Sequence, residues 1–247
     1  MKKILFVMVA LAIATVGYAQ SSMLATLSHE GQISTYYGAR ALVDAYNSAA
    51  DGDIITLSSG SFMATNIEKG ITIRGAGMAI DATAQTEPTI LTGDFNISIP
   101  EETTERLTIE GVYHNHNIIV TTNFKNGTFI KDRFKLISYS YDGGVITNLT
   151  MINCYVSEGL SIPSNSSVSC VNCVIWSPSG NSSTSNFEFT NCVLGKEDWT
   201  LSFYNSSIKN CVLYGWHNQE SYNKLNSNNT GAPGFFRGSP HSPCMTA

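Results

Sequence analysis

The 247-residue sequence predicts an all-β solenoid, in which the chain winds through one stack of repeated coils. Three observations predict it: Asn-Cys recurs at constant spacing, mostly apolar residues stand two and four positions before each Asn, and a short apolar strand pattern follows each Cys. Apolar and polar residues alternate with a period of two, which is typical of half-buried strands. Each repeat therefore predicts a strand, a bend and a second strand.

The bends follow from the positions of the repeat. Asn-Cys stands at 153/154, 172/173, 191/192 and 210/211, in steps of 19 residues, and steps of 18 to 21 residues extend the column toward the N-terminus. Gly, Asn and Asp adopt the left-handed αL conformation at least cost. We therefore predict a structural ladder of bends at Gly75, Gly93, Gly111, Asp132, Asn153, Asn172, Asn191 and Asn210. We expect the Asn side chains to be buried and to hydrogen-bond along the column as an asparagine ladder.

Two kinds of solenoid have repeats near this length. A leucine-rich repeat places its Asn three residues after the last inward leucine and has a helical half. Here the Asn stands two residues after the inward position, and the coils are rich in Ser, Thr, Asn and Val. We therefore predict a single parallel β-helix of about eight to nine coils, stacked about 4.8 Å apart.

The N-terminal part predicts a cap. Leu42, Ala45, Tyr46 and Ala49 share one helical face, which predicts a capping helix near 39–50. The order of this helix, DGDIITLSSGSF and IEKGITIRGAG resembles the opening coils of the pectin lyase-like, right-handed parallel β-helix superfamily. The resemblance covers roughly residues 38–215. It implies a right-handed helix and a fold shared by polysaccharide lyases, glycoside hydrolases, esterases, adhesins and phage tailspikes.

The chain divides into three predicted segments. Lys2 and Lys3 precede a short apolar run and small residues, which predicts a secretory signal peptide over 1–19. The apolar run is too short to cross a bilayer, so we expect no membrane span in the mature protein. The β-helix domain is predicted over 20–217, and an irregular C-terminal segment over 218–247. These features predict a secreted, periplasmic or cell-surface location.

Charge argues against a nucleic-acid partner. The whole chain carries 14 basic and 19 acidic residues, and removal of the two lysines in 1–19 leaves 12 − 19 = −7. No dense basic block is present, and sequence-independent binding of nucleic acid depends on clustered Lys and Arg.

The stretch CVNC, residues 170–173, has the spacing of a redox or zinc motif. Cys173 belongs, however, to the column of Cys154, Cys192 and Cys211, whereas Cys170 takes an inward strand position. Column cysteines lie within disulfide range by Cα distance, but their parallel side chains suit the bond poorly. We therefore predict buried thiols that act as small apolar side chains, with a disulfide in the column as the alternative.

Catalytic candidates come from the resemblance. Polyuronide lyases of this superfamily use Arg or Lys as a base, with Ca²⁺ or a positive group at the uronate carboxylate, and related hydrolases use clustered aspartates. Neither constellation is legible in this sequence, which lacks R-x-P-x-x-R and an N-T-D, D-D and G-H-G set. The best local cluster is Lys131, Asp132 and Arg133 in NGTFIKDRFK, where a cation would act as base or bind an acidic sugar and Asp132 would orient it. The alternative is a structural bend at Asp132 with solvated neighbours, one of them paired with Glu110.

Two histidines and several aromatic residues are further candidates for metal and carbohydrate contacts. His114 and His116 lie two apart, but no matching ligand completes a metal site, so we predict none and read His114 as an inward core residue. Exposed aromatic rings on a regular sheet are platforms for sugars. We predict carbohydrate contacts at Tyr139, Tyr141, Tyr155, Trp176 and Tyr214. Burial of these rings under the C-terminal segment is the alternative.

The sequence thus predicts an exported β-helix protein that binds polysaccharide or another cell-surface ligand. One alternative is a polysaccharide lyase or glycoside hydrolase that acts on an acidic glycan, and a lyase of this kind could use Ca²⁺. The other is a structural or adhesin-like module. No other cofactor is predicted.

Overall fold

The computed structural model describes residues 23–78, 87–140, 144–180, 184–195, 206–214 and 237–238. The predicted signal peptide and nearly all of the segment 218–247 lie outside these residues. Within them the chain is an all-β solenoid of about seven turns, built mostly from parallel strands, with one helix, α1 (Ala41–Ser48).

Two long sheets form the walls of the solenoid. The first contains, in spatial order, β2 (Gln32–Tyr37), β1 (Leu24–His29), β3 (Ile54–Leu57), β5 (Thr72–Arg74), β8 (Leu107–Glu110), β11 (Gly127–Ile130), β14 (Leu149–Ile152), β16 (Ser167–Val171), β19 (Asn186–Thr190) and β21 (Ser207–Lys209). The second contains β23 (Arg237–Gly238), β22 (Val212–Tyr214), β20 (Val193–Gly195), β17 (Val174–Trp176), β15 (Tyr155–Ile162), β12 (Arg133–Tyr139), β9 (Val112–Val120), β6 (Thr89–Thr92) and β4 (Gly60–Met63).

Short strands complete the coils. β7 (Phe95–Ile97) pairs with β9, β18 (Pro178–Gly180) pairs with β15, and β10 (Phe124–Lys125) pairs with β13 (Ile146–Thr147). All of these pairings are parallel.

Equivalent residues of successive coils stack on one another inside the solenoid. Met151 pairs with Cys170, Cys170 with Phe189, and Phe189 with Ile208, and all four side chains are buried. The predicted inward positions after the bend, Cys and the residue two later, are buried as well wherever the structure describes their side chains: Cys154, Val156, Cys173, Ile175, Cys192, Leu194 and Cys211. Because strand neighbours lie about 4.8 Å apart, each coil closes the apolar surface of the one before it, and one continuous core results.

The N-terminal cap has two parts, of which the sequence predicted one. Helix α1 buries Leu42, Ala45 and Tyr46, and Ala49 is buried just beyond its end, so the predicted apolar face is confirmed. The missed part is an antiparallel hairpin, β1–β2, whose strand β1 pairs antiparallel with β3. Its two-residue turn, Glu30-Gly31, has positive φ at both positions, which is the geometry that matches strand twist.

The bends have the left-handed backbone expected of them, with φ between 52° and 55° at Asn153, Asn172, Asn191 and Asn210. The amides of Asn153, Asn172 and Asn191 continue the sheet, as when Asn153 N–H donates to the Val171 carbonyl oxygen at 3.0 Å. The four Asn side chains are nevertheless exposed, so the buried asparagine ladder is wrong. The αL bend turns each Asn outward and brings the following Cys inside.

The bend predicted at Asp132 lies one residue earlier. Lys131 has the positive φ, 54°, and its amide continues the sheet to Ile152. Asp132 is fully buried at the position that Cys154 occupies in the next coil. The inward residue of β11 is accordingly Phe129, and Ile130 faces outward.

Gly93 does not belong to the bend column. It follows β6 of the second sheet, whereas Gly75 and Gly111 end the neighbouring first-sheet strands β5 and β8. One coil of 36 residues therefore runs from Gly75 to Gly111, where two coils of 18 were predicted. This error explains part of the excess in the predicted coil count. The left-handed bend predicted at Gly75 is wrong, because Gly75 does not have a positive φ. Glycine is required there by close approach, since a Cβ would lie 2.4 Å from the Gly111 carbonyl oxygen.

The cysteine column satisfies backbone amides at the corner between the sheets. The N–H groups of Cys154, Cys173 and Cys192 each donate to the Sγ of the next cysteine, at 3.3 to 3.4 Å. The five described cysteines are free and buried, as predicted. Burial raises the pKa of the Cys170 thiol well above its ordinary value, so this residue is a packing group and a poor nucleophile.

Candidate functional site

One row of outward side chains runs along the second sheet. Its members pair in register from strand to strand: Tyr113, Arg133, Tyr155, Val174, Val193 and Val212. We call this set the outer row. Because β-strand side chains alternate between faces, the two-residue repeat that buries the core also presents this row to solvent.

Arg133 occupies a slot between two tyrosines of the outer row. Its guanidinium carbon lies 4.9 Å from the ring centroid of Tyr113 and 5.2 Å from that of Tyr155. Contacts of this length are cation–π interactions, worth about 0.5–2 kcal/mol each according to exposure. Arg133 Nε is buried and has no hydrogen-bond partner among the described residues, so the two rings hold this cation in place.

The outer row becomes apolar toward the C-terminal coils. Tyr155, Val174, Val193 and Val212 are each exposed by 37 to 40%, which makes a continuous exposed stripe. Soluble proteins seldom leave contiguous apolar surface uncovered without a binding role. The three valines stack in register on one face and remain accessible among the described residues.

A second outward row lies beside the first. Trp176 is half-buried on β17, and Gly195 on the next coil leaves room for its ring, since a Cβ there would lie 2.1 Å from the indole. On β12 the ammonium of Lys135 lies 3.6 Å from a carboxylate oxygen of Glu158, and both side chains are largely exposed. The face thus combines aromatic rings, one paired cation and the held Arg133.

The three catalytic candidates do not form one cluster. Arg133 points outward between the tyrosines, Asp132 is buried, and Lys131 is exposed at the bend. Lys131 lines a groove of about 830 Å³ at the corner of the coils. Glu110 of this groove forms an ion pair with Arg74, at 3.4 Å. The structural alternative predicted that a charged neighbour of Asp132 would pair with Glu110, and no such ion pair is present among the described residues.

Asp132 has a structural environment. One carboxylate oxygen accepts the Val112 N–H at 2.9 Å, and the other accepts the Ile130 N–H at 3.0 Å. Burial raises the pKa of this carboxyl well above its ordinary value, in spite of these amide donors. A group enclosed in this way cannot orient an exposed base, so the orienting role predicted for Asp132 has no geometric support.

His114 is an inward core residue, as expected. It is 1% exposed, it stacks in register between Leu91 and Phe134, and Nε2 lies 2.9 Å from the Gly93 carbonyl oxygen, to which it donates. Burial lowers the pKa of its imidazole. In the described part of the chain, no three His, Cys, Asp or Glu residues gather as metal ligands.

The structure describes the side chains of three of the five aromatic residues predicted to contact sugars. Tyr155 and Trp176 share the outer face of the second sheet, and Tyr139 is half-buried at the end of β12. Tyr141 lies outside the described residues, and Tyr214 is described only as part of strand β22. Sequence reasoning missed Tyr113, although a correct alignment of VYH (112–114) with DRF (132–134) would have placed it beside Arg133.

No protein-family model matches the chain, and the curated proteins and solved structures yield no significant match. No helix among the described residues is long and apolar enough to cross a membrane. What is established is therefore the parallel β-solenoid and the geometry of its outer face.

Proposed function

We propose that the protein is exported and binds a polysaccharide or another cell-surface glycan along the outer row. The observation that carries this proposal is the guanidinium of Arg133, held on the outer face between the rings of Tyr113 and Tyr155. A sugar ring presents apolar C–H faces that pack on aromatic rings, and a uronate carboxylate accepts two hydrogen bonds from a guanidinium. The site therefore fits an acidic glycan.

The shape of the solenoid supports an extended ligand. Tyr113 and Tyr155 stand two coils apart, roughly 10 Å along the axis, and the outer row continues through three more coils. A linear polymer that follows the axis meets equivalent positions in each coil. We further propose the right-handed, pectin lyase-like type of β-helix, supported by the order of α1, GDIITL and ITIRGAG, and a location outside the cytoplasm, supported by the signal-like residues 1–19.

The experiment measures retention on immobilised acidic and neutral polysaccharides. Arg133→Ala removes the cation and the contacts between the two rings, so we expect at least about a tenfold loss of affinity for the acidic polymer that binds. Arg133→Lys retains charge without the planar fork and should lose part of this. Lys125→Ala, which removes an exposed cation away from the outer row, is the matched control and should bind normally.

Salt provides a second readout. Binding that depends on a partly exposed Arg133 should weaken as ionic strength rises, because exposed charges are screened within about 8–10 Å at 0.10–0.15 M salt. Retention that is equal in wild type and Arg133→Ala for every polymer of the panel would overturn the proposed site.

Catalysis on an acidic glycan is the second candidate, and one observation favours it. Lys131 is exposed in the groove that also contains Arg74 and Glu110, so a base and a carboxylate-binding cation would lie close together. New chain ends that are lost in Lys131→Ala and retained in Arg133→Ala would establish a lyase or hydrolase here. Retention without new chain ends would exclude cleavage for that panel. An adhesin-like role would use the exposed valines of the outer row.

A further inference from the structure

The second sheet carries the proposed glycan site, whereas the first sheet ends in an open strand. Strand β2 forms the N-terminal edge of that sheet, pairs only with β1 among the described residues, and is exposed along nearly its whole length. Its sequence, QISTYY, contains no charge and no proline. Natural proteins protect edge strands with Lys, Pro, bulges or a covering segment, because a bare edge pairs with further strands.

The backbone N–H and C=O groups of β2 point alternately to β1 and to the open edge. Gly38 N–H donates to the Met23 carbonyl oxygen, and His29 and Gln32 close the two-residue turn, so the even-numbered residues of β2 bond to β1. The N–H and C=O groups of Ile33, Thr35 and Tyr37 therefore point to the open edge.

The same three residues carry the exposed apolar side chains. Ile33 is 74% exposed and Tyr37 is 69% exposed, the two largest values for large apolar residues in the described part. Because side chains alternate between faces, Ile33, Thr35 and Tyr37 share the outer face. Free backbone groups and exposed apolar side chains thus coincide on these residues.

We propose that β2 is a homodimer edge, which pairs antiparallel with β2 of a second copy about a two-fold axis at Thr35. In this register Thr35 faces Thr35 of the other copy, and Ile33 faces Tyr37 on each side. Thr–Thr and aromatic–β-branched pairs are among the favourable cross-strand pairs. All three pairs use the free backbone groups, with two hydrogen bonds each.

The match is confined to the extended strand, because Gly31 and Gly38 have positive φ and turn the chain away at its two ends. The strand itself carries no charge that would repel a second copy. A second copy therefore fits the edge by hydrogen bonds and by side-chain pairs, and the sheet continues across both molecules. A contact limited to one strand per copy is small, so the dimer should be concentration-dependent.

The test measures molecular mass as a function of concentration by sedimentation equilibrium, with the protein expressed from its full sequence. We expect a shift from one to two chain masses. Thr35→Pro removes a donor that points away from β1, so it should leave the hairpin intact and abolish the shift. Thr35→Lys brings two cations together across the axis and should also abolish it, with recovery at high salt, whereas Thr122→Lys, at an exposed position elsewhere, should not.

Amide hydrogen exchange shows which edge is used. The amides of Ile33, Thr35 and Tyr37 should be protected only at high concentration, while those of Ser34 and Tyr36 should be protected at every concentration. A chain that stays monomeric throughout would overturn the proposal, as would a dimer unaffected by Thr35→Pro and Thr35→Lys. Protection of the odd-numbered amides in the dilute monomer would also overturn it, because a segment of the same chain would then cover the edge.

Discussion

The C-terminal coils and the coil that contains Lys131 have the same architecture with different residues at the corner. From residue 153 onward the corner is Asn followed by Cys, with an αL backbone and a sulfur that accepts the amide of the coil before. In the earlier coil the corner is Lys131 followed by Asp132. The backbone conformation of the corner is the same in both places. The residues that occupy it in the earlier coil are energetically less favourable there.

The unfavourable residues at the earlier corner indicate where a functional site lies. A lysine in αL is strained by about 1–2 kcal/mol, and a buried carboxylate is costly even with amide partners. Both features stand directly before Arg133, the residue that carries the proposed glycan site. In a repeat protein, the coil that departs from the repeat is the first place to look for function, because structure alone is served by the repeat.

The largest expected effect concerns the acceptor at the corner. Asp132→Ala leaves the N–H groups of Val112 and Ile130 without their acceptors, whereas Asp132→Cys supplies the residue used in the next four coils. We expect Asp132→Ala to be about 2–4 kcal/mol less stable than Asp132→Cys, measured as free energy of unfolding in urea. Equal stability of the two variants would show that the corner acceptor is unimportant.

The pH dependence of this pair has a definite sign. The pKa of Asp132 is raised above its ordinary value of 3.8, so the folded chain holds this proton more tightly than the unfolded chain. The stability it contributes is complete below about pH 4 and is lost as the pH rises toward the folded pKa. The stability of Asp132→Cys relative to wild type should therefore increase from pH 4 to pH 7.

His114 gives an intermediate effect, with the opposite pH direction. Burial lowers its pKa from 6.5, so the unfolded chain binds the proton more tightly and stability falls as the pH drops below about 6.5. His114→Leu, with the residue found at position 91 of the stack, should weaken this acid sensitivity in melting experiments between pH 5 and 8.

His29 is the internal control for this measurement. A hydrogen bond and the charge of Asp53 raise its pKa, so its contribution is present below pH 6.5 and is lost as the pH rises. His29→Gln should therefore steepen the acid-side loss that His114→Leu weakens. Melting profiles that change in the same direction in both variants would contradict these assignments.

The smallest effect compares the two kinds of bend directly. Lys131→Asn should stabilise the protein by about 1 kcal/mol, because Asn tolerates αL better, and Asn153→Lys should destabilise it by a similar amount. Urea midpoints of the two variants should shift in opposite directions. If Lys131 also serves a ligand, the stabilised variant should lose binding or cleavage while it gains stability.

The regular coils could be predicted from the sequence, since the 19-residue spacing fixed both the αL bends and the inward cysteines. The Lys131 coil could not be placed in this way, because Phe129 and Ile130 are both apolar and a period-two pattern has two registers there. A shift of one residue exchanged the inside and outside of β12. It therefore hid the stack of Arg133 on Tyr113 and Tyr155, which depends on residues about 20 positions apart.

The long coil was missed for a different reason. Its 36 residues equal two predicted coils of 18, and Gly93, with φ of 97°, has the conformation expected of a bend residue. Only the pairing of β5 with β8 shows that no strand of the first sheet lies between them.

The hairpin was missed because its β1 strand lies close behind the signal-like segment, although Glu-Gly between alternating strands is a turn signal.

The cysteine column also affects whether whole coils can be removed from the solenoid or added to it. Each regular coil presents an amide to one neighbour and a sulfur to the other, at the same corner and with the same register. A coil removed or duplicated as a 19-residue unit would leave matching partners on both sides of the junction. The C-terminal part should therefore tolerate the deletion or duplication of whole coils. The coil of Arg133 has different corner residues and cannot be exchanged in this way.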